Sequence, residues 1–229
     1  MTNKTLNDTL TDVPGIRVGH AQDLDAITGC TVILCPAGTV GSVDVRGSAA
    51  GTRQMDTLVK YHLVTEVHGV LITGGSAFGL DAAGGVMEFL EEQGRGFDVT
   101  VTRVPIVPTA VIFDLSVGNH RVRPDKAMGY AACKDAMERQ SPPEEGNAGA
   151  GIGASVGKYL GVDTMMKGGL GIHCVETGGV KLGALVAVNA LGDISDPATG
   201  RTLASILTPD KSALGNTFDT MMAEMAGGR

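Results

Sequence analysis

Tryptophan is absent from this 229-residue chain, and aromatic residues make up only 3% of it. The net charge is −7, and no stripe of lysine and arginine runs along any segment. The charge and the stacking surfaces on which nucleic-acid binding rests are therefore missing. No apolar run is long enough to cross a bilayer, and the opening Met1-Thr-Asn-Lys-Thr-Leu-Asn-Asp8 lacks an apolar signal core. The reading is a cytoplasmic protein without a membrane partner. Cys30, Cys35, Cys133 and Cys174 include no Cys-x-x-Cys pair and read as reduced, buried thiols. His20, His62, His68, His120 and His173 are dispersed, so no zinc site is expected. No hydroxyl or thiol stands beside a base in a way that marks a nucleophile.

Glycine, by contrast, is abundant, with 34 residues. Hydrophobic residues at 43% against 19% charged favour a packed core with tight turns over a low-complexity chain. No linker or internal repeat divides the sequence, so residues 1–229 read as one domain. After a turn at Pro14-Gly15, short apolar runs predict strands at 29–35, 39–45, 67–73 and 99–107, and 110–115 is another short apolar run. Helical spacing predicts helices at 54–61, 76–93, 124–138 and 218–225. Segments 165–174 and 180–189 predict a hairpin about Gly178-Gly179. Strands 30–34, 67–73 and 184–188 are apolar enough to be buried on both faces.

The segment His68-Gly-Val-Leu-Ile-Thr-Gly-Gly-Ser-Ala-Phe-Gly79 reads as a buried strand broken by Gly74 and Gly75, with Ser76 as the N-cap of a helix. Such a turn can offer backbone N–H groups to an anion or a developing oxyanion. Ser76 as a nucleophile is disfavoured, because the nucleophile elbow needs Gly-x-Ser-x-Gly and here the last glycine comes one residue late. Gly151-Ile-Gly-Ala-Ser-Val-Gly-Lys158 looks like a phosphate-binding loop but fails its spacing, and Tyr159 stands where Ser or Thr is required. Lys158 is then either a solvated lysine or a desolvated functional amine. Asn189 ends an apolar strand; its amide either caps a turn or points a donor into a site.

Several motifs occur together and in order: Val13-Pro-Gly-Ile-Arg-Val-Gly-His20, Thr28-Gly-Cys-Thr-Val-Ile-Leu34, Val43-Asp-Val-Arg-Gly47, Leu71-Ile-Thr-Gly-Gly-Ser-Ala-Phe-Gly-Leu80, Val111-Ile-Phe-Asp-Leu115, Ala148-Gly-Ala-Gly151 with Gly157-Lys158, and Lys167-Gly-Gly-Leu-Gly171. From residue 13 onward the chain resembles the L-aminopeptidase/D-esterase family of self-processing hydrolases, which includes β-aminopeptidases and nylon-oligomer hydrolases. The resemblance implies an α/β fold, a four-layer α/β/β/α sandwich completed by a second chain. It implies a precursor that cuts itself and frees a Ser or Thr at the N-terminus of a smaller β chain. That residue is the nucleophile, and its α-amine can serve as its base. Thr217 follows Gly215-Asn216 as at a family junction, but Phe218 and an amphipathic stretch come next instead of the β strand expected there. The present chain accordingly reads as the α chain.

By the same resemblance, Asn189 matches the oxyanion-hole asparagine and Lys158 a lysine near the nucleophile. Phe113 stands where some members have Tyr, which removes a hydroxyl. Gly74, Gly75 and Ser76 would form a wall of the substrate pocket. The implied activity is hydrolysis of small peptides with a free amine, or of related amides and esters, without metal or organic cofactor, in a higher oligomer of αβ units. Two alternatives stay open: an acyltransferase of the ornithine acetyltransferase type, and a non-catalytic protein that holds an anion at residues 74–79.

Overall fold

The computed structural model describes residues 8–59 and 62–227. Its strands are β1 (Arg17–Asp23), β2 (Thr28–Leu34), β3 (Thr52–Arg53), β4 (Gly69–Thr73), β5 (Phe97–Asp98), β6 (Arg103–Val104), β7 (Thr109–Val111), β8 (Ser155–Val156), β9 (Met166–Lys167), β10 (Gly169–Thr177), β11 (Val180–Val188), β12 (Ile194–Ser195) and β13 (Thr202–Ala204). Its helices are α1 (Ala82–Glu92), α2 (Lys126–Glu138) and α3 (Thr217–Ala226). No helix among the described residues is long and apolar enough to cross a membrane.

The principal sheet has the order β1-β2-β4-β7-β3. All its neighbours are antiparallel except β4 and β7, which run parallel with Leu71 opposite Thr109. Alternation along β2 divides its side chains between two cores. Cys30, Val32 and Leu34 pack with Leu71 against Ala82, Ala83, Val86, Phe89 and Leu90 of α1 and Ala132, Cys133 and Ala136 of α2. Ile33, on the opposite face, joins Val18, Leu170, Ile172, Leu185 and Ala187 under the β10–β11 hairpin. The described layers are thus helices, sheet and hairpin.

Helix α2 begins two residues after the expected start at Pro124, because the Asp125 carboxylate caps it by accepting the Met128 N–H at 2.9 Å. Much of the glycine content serves close packing of backbones. A Cβ at Gly85 would lie 1.8 Å from the Lys126 carbonyl oxygen, and one at Gly129 would lie 1.9 Å from that of Ala82. The two helices therefore meet backbone to backbone. Gly178 and Gly179 both have positive φ, 57° and 78°, as the tight β10–β11 turn requires.

Four expectations change. Residues 39–45 form no strand, only a Val40–Glu66 bridge, because Val40 is 75% exposed and has no apolar face to lie on. Residues 54–61 give a single 3-10 turn, Asp56–Leu58, because Gln54 takes a positive φ and spends its side chain on the Val107 N–H; positions 60 and 61 lie outside the described residues. Residues 99–107 supply only β6, since Thr100 turns the chain at φ 75° and Val101 points to solvent. The helix expected over 76–93 opens as a 3-10 turn, Ser76–Asp81, and the capping position belongs to Gly75 at φ 79°; Ser76 itself has φ 53° and follows as the first residue of the turn. No side chain caps this turn.

Within this chain residues 184–188 are covered on one face only. Residues 181, 183, 185 and 187 of β11 are partly covered, while Val180, Leu182 and Val186 are 65%, 68% and 53% exposed. The outer face of the hairpin is apolar and uncovered.

The close helix contact makes a direct prediction. Gly129→Ala should destabilise the fold by about 1–3 kcal/mol through overpacking, read as a lower midpoint in urea with an unchanged m-value. A midpoint equal to wild type would show that α1 and α2 are not in backbone contact.

Candidate functional site

The sequence-predicted residues converge at one end of the principal sheet, where β4 and β7 finish and β2 begins. The chain leaves β7 through Ile112, Phe113 and Asp114, and leaves β4 through Gly74, Gly75 and Ser76. The two exits are tied together: Ser76 N–H donates to the Ile112 carbonyl at 3.0 Å, and Gly75 N–H donates to Asp114 Oδ1 at 2.6 Å. Gly74 N–H donates to the Gly29 carbonyl at 2.8 Å. The N–H groups of Gly74, Gly75 and Ser76 are thus engaged within the chain, so this turn can form a wall but not a set of free donors.

Asn189 follows directly on β11. Gly157 and Lys158 donate their N–H groups to the carbonyls of Gly192 and Leu191, both at 2.9 Å, which lays the lysine beside the asparagine. Lys158 Nζ donates to Asn189 Oδ1 at 2.5 Å and to the Asn189 carbonyl at 3.2 Å. Ser155 N–H also donates to Asn189 Oδ1, at 3.1 Å, and Asn189 Nδ2 donates to the Phe113 carbonyl at 3.2 Å. With two donors on one side and a carbonyl on the other, the orientation of the amide is unambiguous. Its Nδ2 has a second hydrogen, which no hydrogen bond among the described residues uses. Phe113 contributes its backbone carbonyl, while its ring is half exposed.

Sequence reasoning left three neighbours aside. Asp114 is 2% exposed, and its Oδ2 accepts the Thr28 hydroxyl at 2.7 Å. Lys167 donates from Nζ to the Ile152 carbonyl. Ser155 lies opposite Lys167 in the β8–β9 pair, and its buried hydroxyl has no hydrogen-bond partner among the described residues. One signal for Asp114 was present: a carboxylate inside Val111-Ile-Phe-Asp-Leu115 must find donors if the run is buried.

Burial pushes the pKa of both Lys158 and Lys167 below the ordinary lysine value, and the Asp114 carboxylate opposes the shift at each. Lys158 is thus half-buried and hydrogen-bonded, not a fully solvated surface lysine. Thr217 takes another role: its N–H donates to Asp193 at 2.8 Å, its hydroxyl donates to the same carboxylate, and it starts α3 with Asn216 as the cap. The four cysteines are buried and unpaired. No group of three or more potential metal ligands comes together among the described residues.

These features sit on a mixed α/β fold like that of known N-terminal-nucleophile hydrolases. It superposes with a TM-score of 0.58 on a beta-aminopeptidase of Burkholderia sp., at 25% identity over 80% of this chain and 52% of that one. With the L-aminopeptidase D-Ala-esterase/amidase of Ochrobactrum anthropi, a variant of that hydrolase fold, the TM-score is 0.53 at 21% identity, over 80% and 53% of the two chains. The chain belongs to peptidase family S58, whose model matches residues 8–222. It is 45% identical over 203 residues to an uncharacterized aminopeptidase of Mycobacterium leprae (strain TN), covering 84% of this chain and 55% of that protein. It is 36% identical over 189 residues to a 6-aminohexanoate-oligomer endohydrolase of Kocuria sp. (strain KY2), covering 82% and 50%. The chain therefore spans about half the length of these relatives.

The lowered lysine pKa has a pH signature. Between the folded-state value and the ordinary 10.5, the unfolded chain binds the Lys158 proton and the folded one does not. Stability therefore rises with pH across that window. The melting temperature of wild type minus that of Lys158→Met should increase from pH 7 toward pH 10. A flat difference would mean that folding leaves the Lys158 pKa unshifted, with burial and the Asp114 charge cancelling.

Proposed function

We propose that this chain is the α portion of a self-processing amide hydrolase whose nucleophile is a Ser or Thr heading a β chain from the same precursor. The hydrogen-bonded Lys158–Asn189 pair, in a chain of peptidase family S58, carries this reading. In the proposed reaction the nucleophile's hydroxyl oxygen bonds to the substrate carbonyl carbon. Its proton passes to the β chain's own α-amine and then to the leaving amine as the C–N bond breaks. Water then hydrolyses the acyl–enzyme by the reverse path. Asn189 Nδ2, with one hydrogen on the Phe113 carbonyl, donates the other to the oxyanion. Lys158 holds the amide in that orientation and places a positive charge beside it.

The substrates are small peptides with a free amine or related amides and esters, in keeping with the names of the aminopeptidase and oligomer-hydrolase relatives. Gly74, Gly75, Ser76 and the exposed Phe113 ring form the wall of the pocket. The uncovered row Val180, Leu182 and Val186 is the surface on which the β chain completes a four-layer sandwich, and αβ units assemble into a higher oligomer. Buried, unpaired cysteines fit a cytoplasmic location. Against the anion-binding alternative at residues 74–79 stands the engagement of three of its N–H groups, those of Gly74, Gly75 and Ser76.

Steady-state hydrolysis of amino-acid 4-nitroanilides by the full-length protein tests the reading, with acyl transfer to ornithine measured in parallel. Release of the free aniline, with turnover lowered by ~10²–10³-fold in Asn189→Ala, is expected for the loss of one oxyanion donor. Near-wild-type turnover in that variant would reduce Asn189 to a turn cap, and preferential transfer to ornithine would replace the hydrolase with the acyltransferase.

A further inference from the structure

We propose that Asp114 is the positioning residue of this site: it joins the Gly74–Ser76 turn to the start of β2 and, through the adjoining Phe113 carbonyl, sets the Asn189 amide. The proposal rests on the hydrolase reading above for its kinetic consequence, but not for its geometry.

Three independent observations meet at this carboxylate. Both oxygens are engaged, one by Gly75 N–H at 2.6 Å and the other by the Thr28 hydroxyl at 2.7 Å, in a residue only 2% exposed. The Gly74–Ser76 turn and one further segment are shaped around it. A Cβ at Gly74 would lie 2.1 Å from Oδ2, and one at Gly153 would lie 2.5 Å from both Oδ2 and the Asp114 Cβ. Glycine is thus required on either side of the carboxylate by close approach. Finally, the residue before it supplies the carbonyl that receives Asn189 Nδ2 at 3.2 Å. A shift of Asp114 moves that carbonyl, and with it the second amide hydrogen that the mechanism uses.

The charge of Asp114 adds a second effect. Lys158 and Lys167 are the cations it acts on, one held by Asn189 and the other by the Ile152 carbonyl. Thr28 and Gly75, its direct partners, are neutral. A buried carboxylate facing two half-desolvated amines favours their protonated forms. Lys158 remains a donor to Asn189 in either protonation state, but only the protonated amine also offers charge.

Asp114→Asn separates these effects. Its side-chain oxygen can still accept from Gly75 N–H and its amide can donate to Thr28, so the shape persists while the charge is removed. Asp114→Ala removes both. In the full-length protein, kcat and KM for a 4-nitroanilide and the NMR titration of ¹³C-methylated Lys158 are the readouts. For Asp114→Asn we expect a Lys158 midpoint at lower pH, a lower kcat and little change in KM. For Asp114→Ala, kcat should fall by about 10²-fold, the scale of a misplaced catalytic group. Thr28→Val, nearly isosteric, loses one donor but keeps the charge, and should lower kcat without moving the Lys158 midpoint. This variant serves also if Asp114→Ala does not fold. Wild-type kcat in both Asp114→Asn and Thr28→Val, with an unmoved Lys158 midpoint in Asp114→Asn, would overturn the proposal. A shifted midpoint in a protein whose wild type cleaves no amide would retain Asp114 as the anchor and reject the hydrolase.

Discussion

The site depends on one buried carboxylate. Burying an ionised group costs several kcal/mol unless it is paired and hydrogen-bonded. Asp114 meets the hydrogen-bonding half of that condition with donors from two distant segments, Thr28 and Gly75. A hydrogen bond to a charged group contributes about 1.5–3 kcal/mol net, so losing either donor would cost the end of the sheet a sizeable part of its stability. The partners are also specific in place: Gly75 is offered by the end of β4, Thr28 by the start of β2, and Asp114 by the exit from β7. The end of the sheet is thereby locked, and the Asn189–Lys158 pair leans on it through the Phe113 carbonyl.

Glycine has a related meaning. Aliphatic side chains fill the space between sheet and helices, and glycine permits close approach where elements meet. Gly85 and Gly129 let the backbones of the two helices touch, and Gly74 and Gly153 make room for the Asp114 side chain. Such packing leaves little tolerance for a methyl group.

Local signals made much of the fold legible. Strand β2 is a continuous apolar run, α2 carries its capping aspartate, and the β10–β11 hairpin is marked by two glycines between apolar strands. The failures have a common cause. Residues 39–45 and 99–107 look like strands, but Val40 and Val101 meet no packed layer in this chain, and pattern cannot reveal what an element packs against. Asn189 and Lys158 were legible as a polar strand end and a lysine among small residues. Asp114 was legible only as a carboxylate in an apolar run that needs donors; which donors was not, because they lie 86 and 39 residues away in sequence. The donor role first entertained for the Gly74–Ser76 turn disappears for the same reason: its acceptors come from elsewhere in the chain.

The outer face of β11 ties the fold to the proposed assembly. Valines and a leucine facing water on a two-stranded ribbon leave both apolar surface and a strand edge unprotected. In the proposed account a second polypeptide, cut from the same precursor, covers that face and brings the nucleophile to Lys158 and Asn189. Intact-mass spectrometry of the freshly purified full-length protein, with sequencing of each N-terminus, tests this most directly. The account predicts two polypeptides, the smaller beginning with Ser or Thr. A single uncut polypeptide that hydrolyses small peptide amides would contradict it.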